Sequence, residues 1–341
     1  MTSAKALRQR WTLERAVAAR DALENWKKPT QLEEVAFGVH EGRLDLRGLA
    51  IYTNISGVDT KHVSAGDVSR DYSFLTLDNP PEFHSAKWTS IDFSHAEIDH
   101  LRLFLSEVRD CRFVGATLRD WRNWGVHYSD CDFSGADLQN ANVGGAPYKG
   151  RRVEYANCLW RKGKLKAVTL SGGLYRDCRF EDVKLAKEQV TDADFIGCHF
   201  SGRLEEIRFD GRNFETKMPW DVRPDAMVRC DFSECSLVDV QFLGIDVRGI
   251  ELPPSGQRMP HISRVARAAY EWAQTADLAP NERMFLDMYW AGYVTKLPDE
   301  AEGWLDLSAF EGPGKALLER IHGGLGHRNG DARVWDRAWS F

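Results

Sequence analysis

Two short stretches gather the side chains best suited to grip a flat or anionic group. The segment Leu118 to His127, LRDWRNWGVH, carries Trp121, Arg122 and Trp124, with Arg102 twenty residues before Arg122. The run WRKGKLK carries Trp160, Arg161, Lys162 and Lys164 and ends at Lys166. Guanidinium and indole groups stack on planar rings, and guanidinium and ammonium groups pair with phosphates or carboxylates. These eight residues form a candidate basic and aromatic binding face for a partner, for an anionic ligand or for nucleic acid.

Other groupings that could do chemistry lack the spacing for it. Gly312-Pro313-Gly314-Lys315 does not have the phosphate-loop spacing and follows no expected strand. His322 and His327 lie in IHGGLGHRNGD, which reads as a flexible link, and Glu205-Glu206 reads as a solvated pair. Seven cysteines include no Cys-x-x-Cys, and the closest two, Cys230 and Cys235, are five apart, which suits neither zinc nor a disulfide framework. His95 and His100 take outward slots without an identifiable partner. No catalytic set, metal site or cofactor is expected from these residues.

What positions the candidate face is a five-residue rhythm. Stepping by five, the chain places Phe83, Trp88, Phe93, Ile98, Leu103, Val108, Phe113 and Leu118 in successive slots, and resumes after Asn123 with Tyr128, Phe133, Leu138 and Val143. Further blocks run from Val58 to Val68, through Tyr148, Val153 and Cys158, from Leu165 to Phe200, and from Phe232 to Val247. Thirty of 33 such slots are apolar, where a composition of 43% would place about 14. A smaller set two residues before each centre holds Ala96, Cys111, Ala116, Cys131, Ala136, Cys178 and Cys198, so the cysteines read as small buried hydrophobes.

Period five fits neither helix nor strand. A chain that turns a corner once per five residues closes a square coil every twenty, and successive coils pair like strands about 4.8 Å apart. Phe93, Phe113 and Phe133 then stack. Segments such as CDFSGADLQNANV resemble the pentapeptide-repeat family, with its Ala-Asp/Asn-Leu-x-x consensus, over roughly residues 44–250. That resemblance implies a β fold: a right-handed quadrilateral β-helix solenoid. Departures from the rhythm at 69–82, 159–164 and 201–229 are expected to interrupt it.

Open solenoid ends need covers. Residues 1–43 are expected to form an N-terminal helical cap: AKALRQRWTLERAVAARDALENWK has a stripe of Leu7, Trp11, Ala18, Ala22 and Trp26, and a capping-box pattern at Thr30 to Glu33 follows Pro29. After Pro253-Pro254-Ser255-Gly256, residues 251–341 are expected to form a C-terminal α-helical subdomain from HISRVARAAYEWAQTADLA, NERMFLDMYWAGYVTKL and LDLSAFEGPGKALLERI, with docking residues Val334 to Phe341. Trp272, Phe285, Met288, Tyr289 and Trp290 read as helix packing or a dimer seam.

On a square coil, Leu103, Asn123, Val143 and position 163 share a column, so Asn123 and an insertion near Gly163 would form a notch with tryptophan walls, floored by Gly144 and Gly145. Trp121 takes an inward slot that elsewhere holds Ala or Cys; a bulge is expected there, with the ring filling the interior as the alternative. Asp92, Arg112, Asp132 and Arg152, alternating in sign, are expected to form a structural ion-pair ladder.

The function these features favour is a non-catalytic macromolecular binding or scaffold protein with a protein partner. The family resemblance implies an alternative, since some members mimic duplex DNA and protect or inhibit type II topoisomerases such as DNA gyrase, often as dimers joined through terminal helices. A homodimer through the C-terminal helices is part of that expectation. Such mimicry needs a continuous acidic surface, yet residues 44–250 carry 32 acidic and 27 basic side chains and the whole chain a net charge of -6. A second alternative is an enzyme with a site in the loop ETKMPWDVRPDAM or at the junction with the helical tail. No apolar run is long enough to span a bilayer, and MTSAKALRQRW does not read as a signal peptide, so a cytoplasmic protein without a membrane partner is expected.

Overall fold

A computed structural model describes residues 2–25, 29–51, 81–213, 221–254, 257–289, 293 and 295–305. The slots at Val58, Val63 and Val68, the cap residue Trp26, Trp290, and the tail from 306 onward with its GPGK, His322 and His327 lie outside them. So do most of the expected interruption at 69–82 and residues 215–220 of the ETKMPWDVRPDAM loop.

Every fifth residue turns a corner. Ser85, Ser90, His95, His100, Leu105 and Asp110 all have φ between 49° and 61°, and the series continues through Gly115, Asp120, Gly125, Asp130, Gly135 and Asn140. The left-handed region favours Gly, Asn and Asp, and those types hold all six of these later corners. At Gly115 the reason is also spatial, because a Cβ there would meet the His95 ring at 2.8 Å. Between corners run strands of three residues, one side chain inward and its two neighbours outward, as in Arg102–Phe104 and Glu107–Arg109.

Successive coils pair in parallel at a spacing of twenty. Leu103 aligns with Asn123, Val108 with Tyr128, Tyr155 with Tyr175, and Trp160 with Phe180. One face is a seven-stranded sheet running from Lys87–Thr89 through Glu107–Arg109, His127–Ser129, Glu154–Ala156, Leu174–Arg176 and Asp194–Ile196 to Met227–Val228. Phe93, Phe113, Phe133, Trp160, Phe180, Phe200 and Phe232 form a column inside, each ring within 9° of parallel to the next at 4.4 to 5.3 Å. Tyr128, Tyr155, Tyr175 and Phe195 form a second. Each buried ring contributes burial of large apolar area plus the offset-stacking attraction.

The break in twenty-residue spacing lies elsewhere than expected. Tyr128 aligns with Tyr155 and Phe133 with Trp160, both 27 apart, so seven extra residues enter between Val143 and Val153. Residues 159–164 are a regular part of the coil. Seven is one repeat plus two, which moves the inward centres to Tyr155 and Trp160 and places Cys158 two residues before a centre. All seven cysteines therefore occupy the same kind of slot, and all are free and buried. Likewise His199–Asp210 is a long strand within the β-helix, and the departure expected at 201–229 narrows to an excursion closed by the antiparallel bridge between Arg212 and Val222.

The first coils are covered by α1 (Ala4–Gln9), α2 (Leu13–Glu24) and α3 (Pro29–Val35). The expected first helix is divided because Thr12 leaves the helical region and caps α2 by accepting from the Arg15 amide. Trp11 is buried and donates to the Arg47 carbonyl, and Arg10 pairs with Asp45 on the first coil. At the other end, α4 (Ile262–Thr275) and α5 (Pro280–Tyr289) follow Gln257–Pro260, which pairs antiparallel with Glu302–Leu305. That strand pair, absent from the sequence expectation, docks on the last coil: Arg258 donates to the Val247 and Ile250 carbonyls, and Trp304 joins the core.

Candidate binding surfaces

The column register divides the eight candidate residues among three places. Trp121 and Trp160 are core residues, 1% and 2% exposed. Trp160 is a ring of the central column and not a wall of a notch. Trp121 packs edge-on against Phe113, and its indole N–H donates to the Ile98 carbonyl at 2.6 Å. No bulge forms there, since Arg102, Leu103 and Phe104 align with Arg122, Asn123 and Trp124 without a shift. The ring fills space that is available because its column neighbour one coil on is Ala141. Asn123 is buried beside it, accepting from the Tyr128 hydroxyl and donating to the Asn142 carbonyl. The column it shares with Leu103 and Val143 continues to Leu170, not to position 163.

Arg102, Arg122 and Trp124 do share one face, together with rings not counted among the candidates. His84, Phe104 and Trp124 stack outside the coil with centroids 4.5 Å apart and planes 4° from parallel. Tyr148, from the seven-residue insertion, leans edge-on against Phe104 at 5.8 Å, and Lys149 lies over the Tyr148 ring. The signal for this strip was present in the sequence as aromatics or His at 84, 104 and 124. The two arginines flank it, yet both are engaged by Asp120: Arg102 at 2.8 Å and Arg122 at 2.5 Å, with His100 at 3.1 Å. His100 thus has the partner that sequence reading did not find. Despite its burial, Asp120 is held below the usual carboxylate range by hydrogen bonds from Arg102 and His100.

Arg161, Lys162 and Lys164 lie around the corner from that strip. Arg161 pairs with Glu181 at 2.6 Å, Lys162 with Asp182 at 3.8 Å and Lys164 with Asp137 at 3.5 Å. The last two edge a groove of about 800 Å³ between neighbouring coils. A second cleft, of about 530 Å³, opens between the insertion and the residues Asn213 and Arg223, lined also by Asn142, Thr169, Ser171, Thr191 and Arg152. Both of its arginines are pinned to Asp194. Arg152 therefore belongs here and not to the expected ion-pair ladder. In that column Asp92, Arg112 and Asp132 are followed by Leu159, and the Arg112 guanidinium pairs with Glu41.

Four inward residues per coil, a left-handed corner after each, and stacking of residues twenty apart together define one architecture. The chain has the four-sided β-helix fold of pentapeptide-repeat proteins. No family model and no curated protein matches it. Among solved structures this chain is similar to QnrB1, a plasmid-mediated fluoroquinolone resistance protein, with 19% identity over 50% of this chain and 82% of that one and a TM-score of 0.23. It is similar to HetL, a pentapeptide-repeat protein involved in heterocyst differentiation regulation in the cyanobacterium Nostoc, with 15% identity over 56% and 94% of the two chains and a TM-score of 0.16. A third, Rfr23 from the cyanobacterium Cyanothece, has 7% identity over 52% and 96% and a TM-score of 0.15. The coil register of this chain itself defines the fold.

The interior of this β-helix is closed to ligands by its own stacked rings, which leaves chemistry and recognition to its outside. Among the described residues no group of three or more His, Cys, Asp or Glu side chains is arranged to hold a metal ion, and no helix is long and apolar enough to cross a membrane.

Proposed function

We propose that this chain is a non-catalytic binding protein that recognises a protein partner through the strip His84, Phe104, Trp124 and Tyr148. The observation that carries the reading is the exterior stack of three parallel rings at 4.5 Å. Rings fixed on a paired sheet lose little conformational freedom on binding. Tryptophan, tyrosine and arginine are the residues that dominate binding energy at protein interfaces. Because Asp120 engages both flanking arginines, the strip presents apolar edges with a balanced rim, which suits a protein surface better than a polyphosphate.

The topoisomerase reading needs a continuous acidic face. On the described coils acidic and basic side chains intermix, as at Arg112 and Asp132, and the exterior turns basic around Lys162 to Lys187, so a gyrase supercoiling assay is expected to show neither protection nor inhibition. A second reading, self-association through α4 and α5, draws on Tyr270 and Met284, 39% and 59% exposed on those helices; sedimentation at two protein concentrations tests it.

The test of the main reading is quantitative capture of partners from extract with wild type, Trp124→Ala and a control, Arg176→Ala, on another face. Loss of one protein by about tenfold with Trp124→Ala alone is expected, a hot-spot cost of at least about 1.4 kcal/mol. Equal recovery with all three proteins would remove the strip from consideration.

A further inference from the structure

The groove beside Lys162 and Lys164 is chemically unlike the rest of the molecule. Five lysines line it, Lys162, Lys164, Lys166, Lys184 and Lys187, with one carboxylate, Asp182. This concentration of positive charge sits on a chain whose net charge is -6. Between the lysines the lining is small or apolar: Gly163, Leu165, Ala167 and Ala186. The backbone is held in place by left-handed corners at Lys162, Ala167, Asp182 and Lys187. Three of the lysines, themselves at least 65% exposed, contact carboxylates at 3.5 to 3.8 Å; Asp182 and Glu206 are exposed as well, while Asp137 is buried and already paired with Arg119. Exposed pairs of that kind are worth well under about 1 kcal/mol and give way to a stronger anion. Lys166 and Lys184 make no ion pair among the described residues.

We propose that this groove binds a phosphorylated small molecule, with its phosphates among the lysines and an apolar body over Leu165, Ala167 and Ala186. Ammonium groups act as point charges on phosphate and do not impose the planar fork geometry by which arginine selects carboxylates. The groove's volume of about 800 Å³ falls in the range of small-ligand sites. Carboxylates contact three of the lining lysines, Asp182 with Lys162, Asp137 with Lys164 and Glu206 with Lys187, so a compact ligand held within the lysines meets less like charge than an extended nucleic-acid backbone. The site is on a different face from the aromatic strip and does not depend on the protein-binding reading.

Isothermal titration at low salt with ATP, with inorganic triphosphate and with a single-stranded DNA oligonucleotide tests it, using the full chain and its Lys166→Ala/Lys184→Ala variant. Both lysines are exposed, so the variant is expected to melt with the wild type. The expected result is binding of ATP and triphosphate, ATP the tighter by several-fold, with both weakened about tenfold in the variant and lost with rising salt. Absence of binding at about 1 mM ligand, affinities unchanged in the variant, triphosphate as tight as ATP, or DNA binding that outcompetes ATP would each overturn the proposal.

Discussion

The Tyr128 hydroxyl donates to Asn123 Oδ1 at 2.6 Å inside the β-helix, and Asn123 in turn donates to the Asn142 carbonyl at 3.1 Å. The polar residue that breaks the apolar rhythm is thus the acceptor for a phenol from the adjacent face. Tyr155 and Tyr175 meet the same need with the backbone carbonyls of Val143 and Leu170. A buried hydroxyl without a partner costs about 1 to 3 kcal/mol, so Asn123→Leu is expected to destabilise by that amount. Adding Tyr128→Phe to Asn123→Leu should recover part of the loss, because both polar groups are then gone. Urea denaturation of the four proteins of this cycle measures the coupling; additive losses would show that the two side chains do not interact.

Glu188 is a source of pH dependence. Burial pushes its carboxyl from 4.5 up to about 7, against a hydrogen bond from the Leu170 backbone that lowers it. Between those values the folded chain holds a proton that the unfolded chain has released, so this group's contribution to stability falls as pH rises from 4.5 to 7. Glu188→Gln cannot ionise. At pH 8 it should raise the Tm by about 2 °C, and at pH 4.5 the two proteins should melt together.

The cysteines should be chemically silent. Burial pushes the thiols of Cys111, Cys158 and Cys198 up, and that of Cys235 up to about 12; Cys178, despite burial, is held down to about 5 by hydrogen bonds with Cys158 and Cys198, and its silence rests on its sulfur being closed off from solvent. The thiolate is the reactive form. Native protein is expected to leave all seven unmodified by a thiol reagent at pH 8 over the time in which denatured protein reacts at seven sites. Rapid reaction of one native cysteine would contradict its place in the core.

The N-terminal cap depends on Asp45. Despite burial, the guanidinium groups of Arg10 and Arg47 hold its carboxyl well below the usual range. With the folded value lowered, its stabilisation is present above the unfolded pKa of about 3.9 and is lost as pH falls through the folded value. Asp45→Asn should loosen α1 and α2 at neutral pH, at a cost of about 1.5 to 3 kcal/mol for charge-assisted hydrogen bonds. Hydrogen exchange in Leu7 to Leu23 should accelerate while exchange in the coils of Phe113 and Phe133 stays slow.

Much of the coil was legible because inward slots repeat every five residues and their apolar character does not depend on what lies across the core. Phe113 on Phe133, at 5.0 Å and 5° from parallel, follows from that periodicity alone. The rhythm was less informative after Val143. Tyr148, Val153 and Cys158 continue an apolar pattern in the wrong phase, since the slots at a centre and two before it both take small or apolar residues. A seven-residue insertion preserves apparent periodicity while exchanging those slots. That exchange moved Trp160 from the expected exterior to the core and carried Arg152 away from the column of Asp92 and Arg112.

What the sequence determined by itself is the period, the identity of the inward side chains as far as Val143 and again from Leu165 to Phe200 and from Phe232 to Val247, and the need for covers at both ends, because each follows from local burial and from open strand edges. Only the tertiary structure decided which outward side chains share a face. Neighbours there are set by the count of residues per coil, and every insertion resets that count for all that follows. The stack of His84, Phe104 and Trp124, the five lysines around one groove, and the docking of the paired strands 257–260 and 302–305 on the last coil all depend on contacts between segments that no local pattern registers.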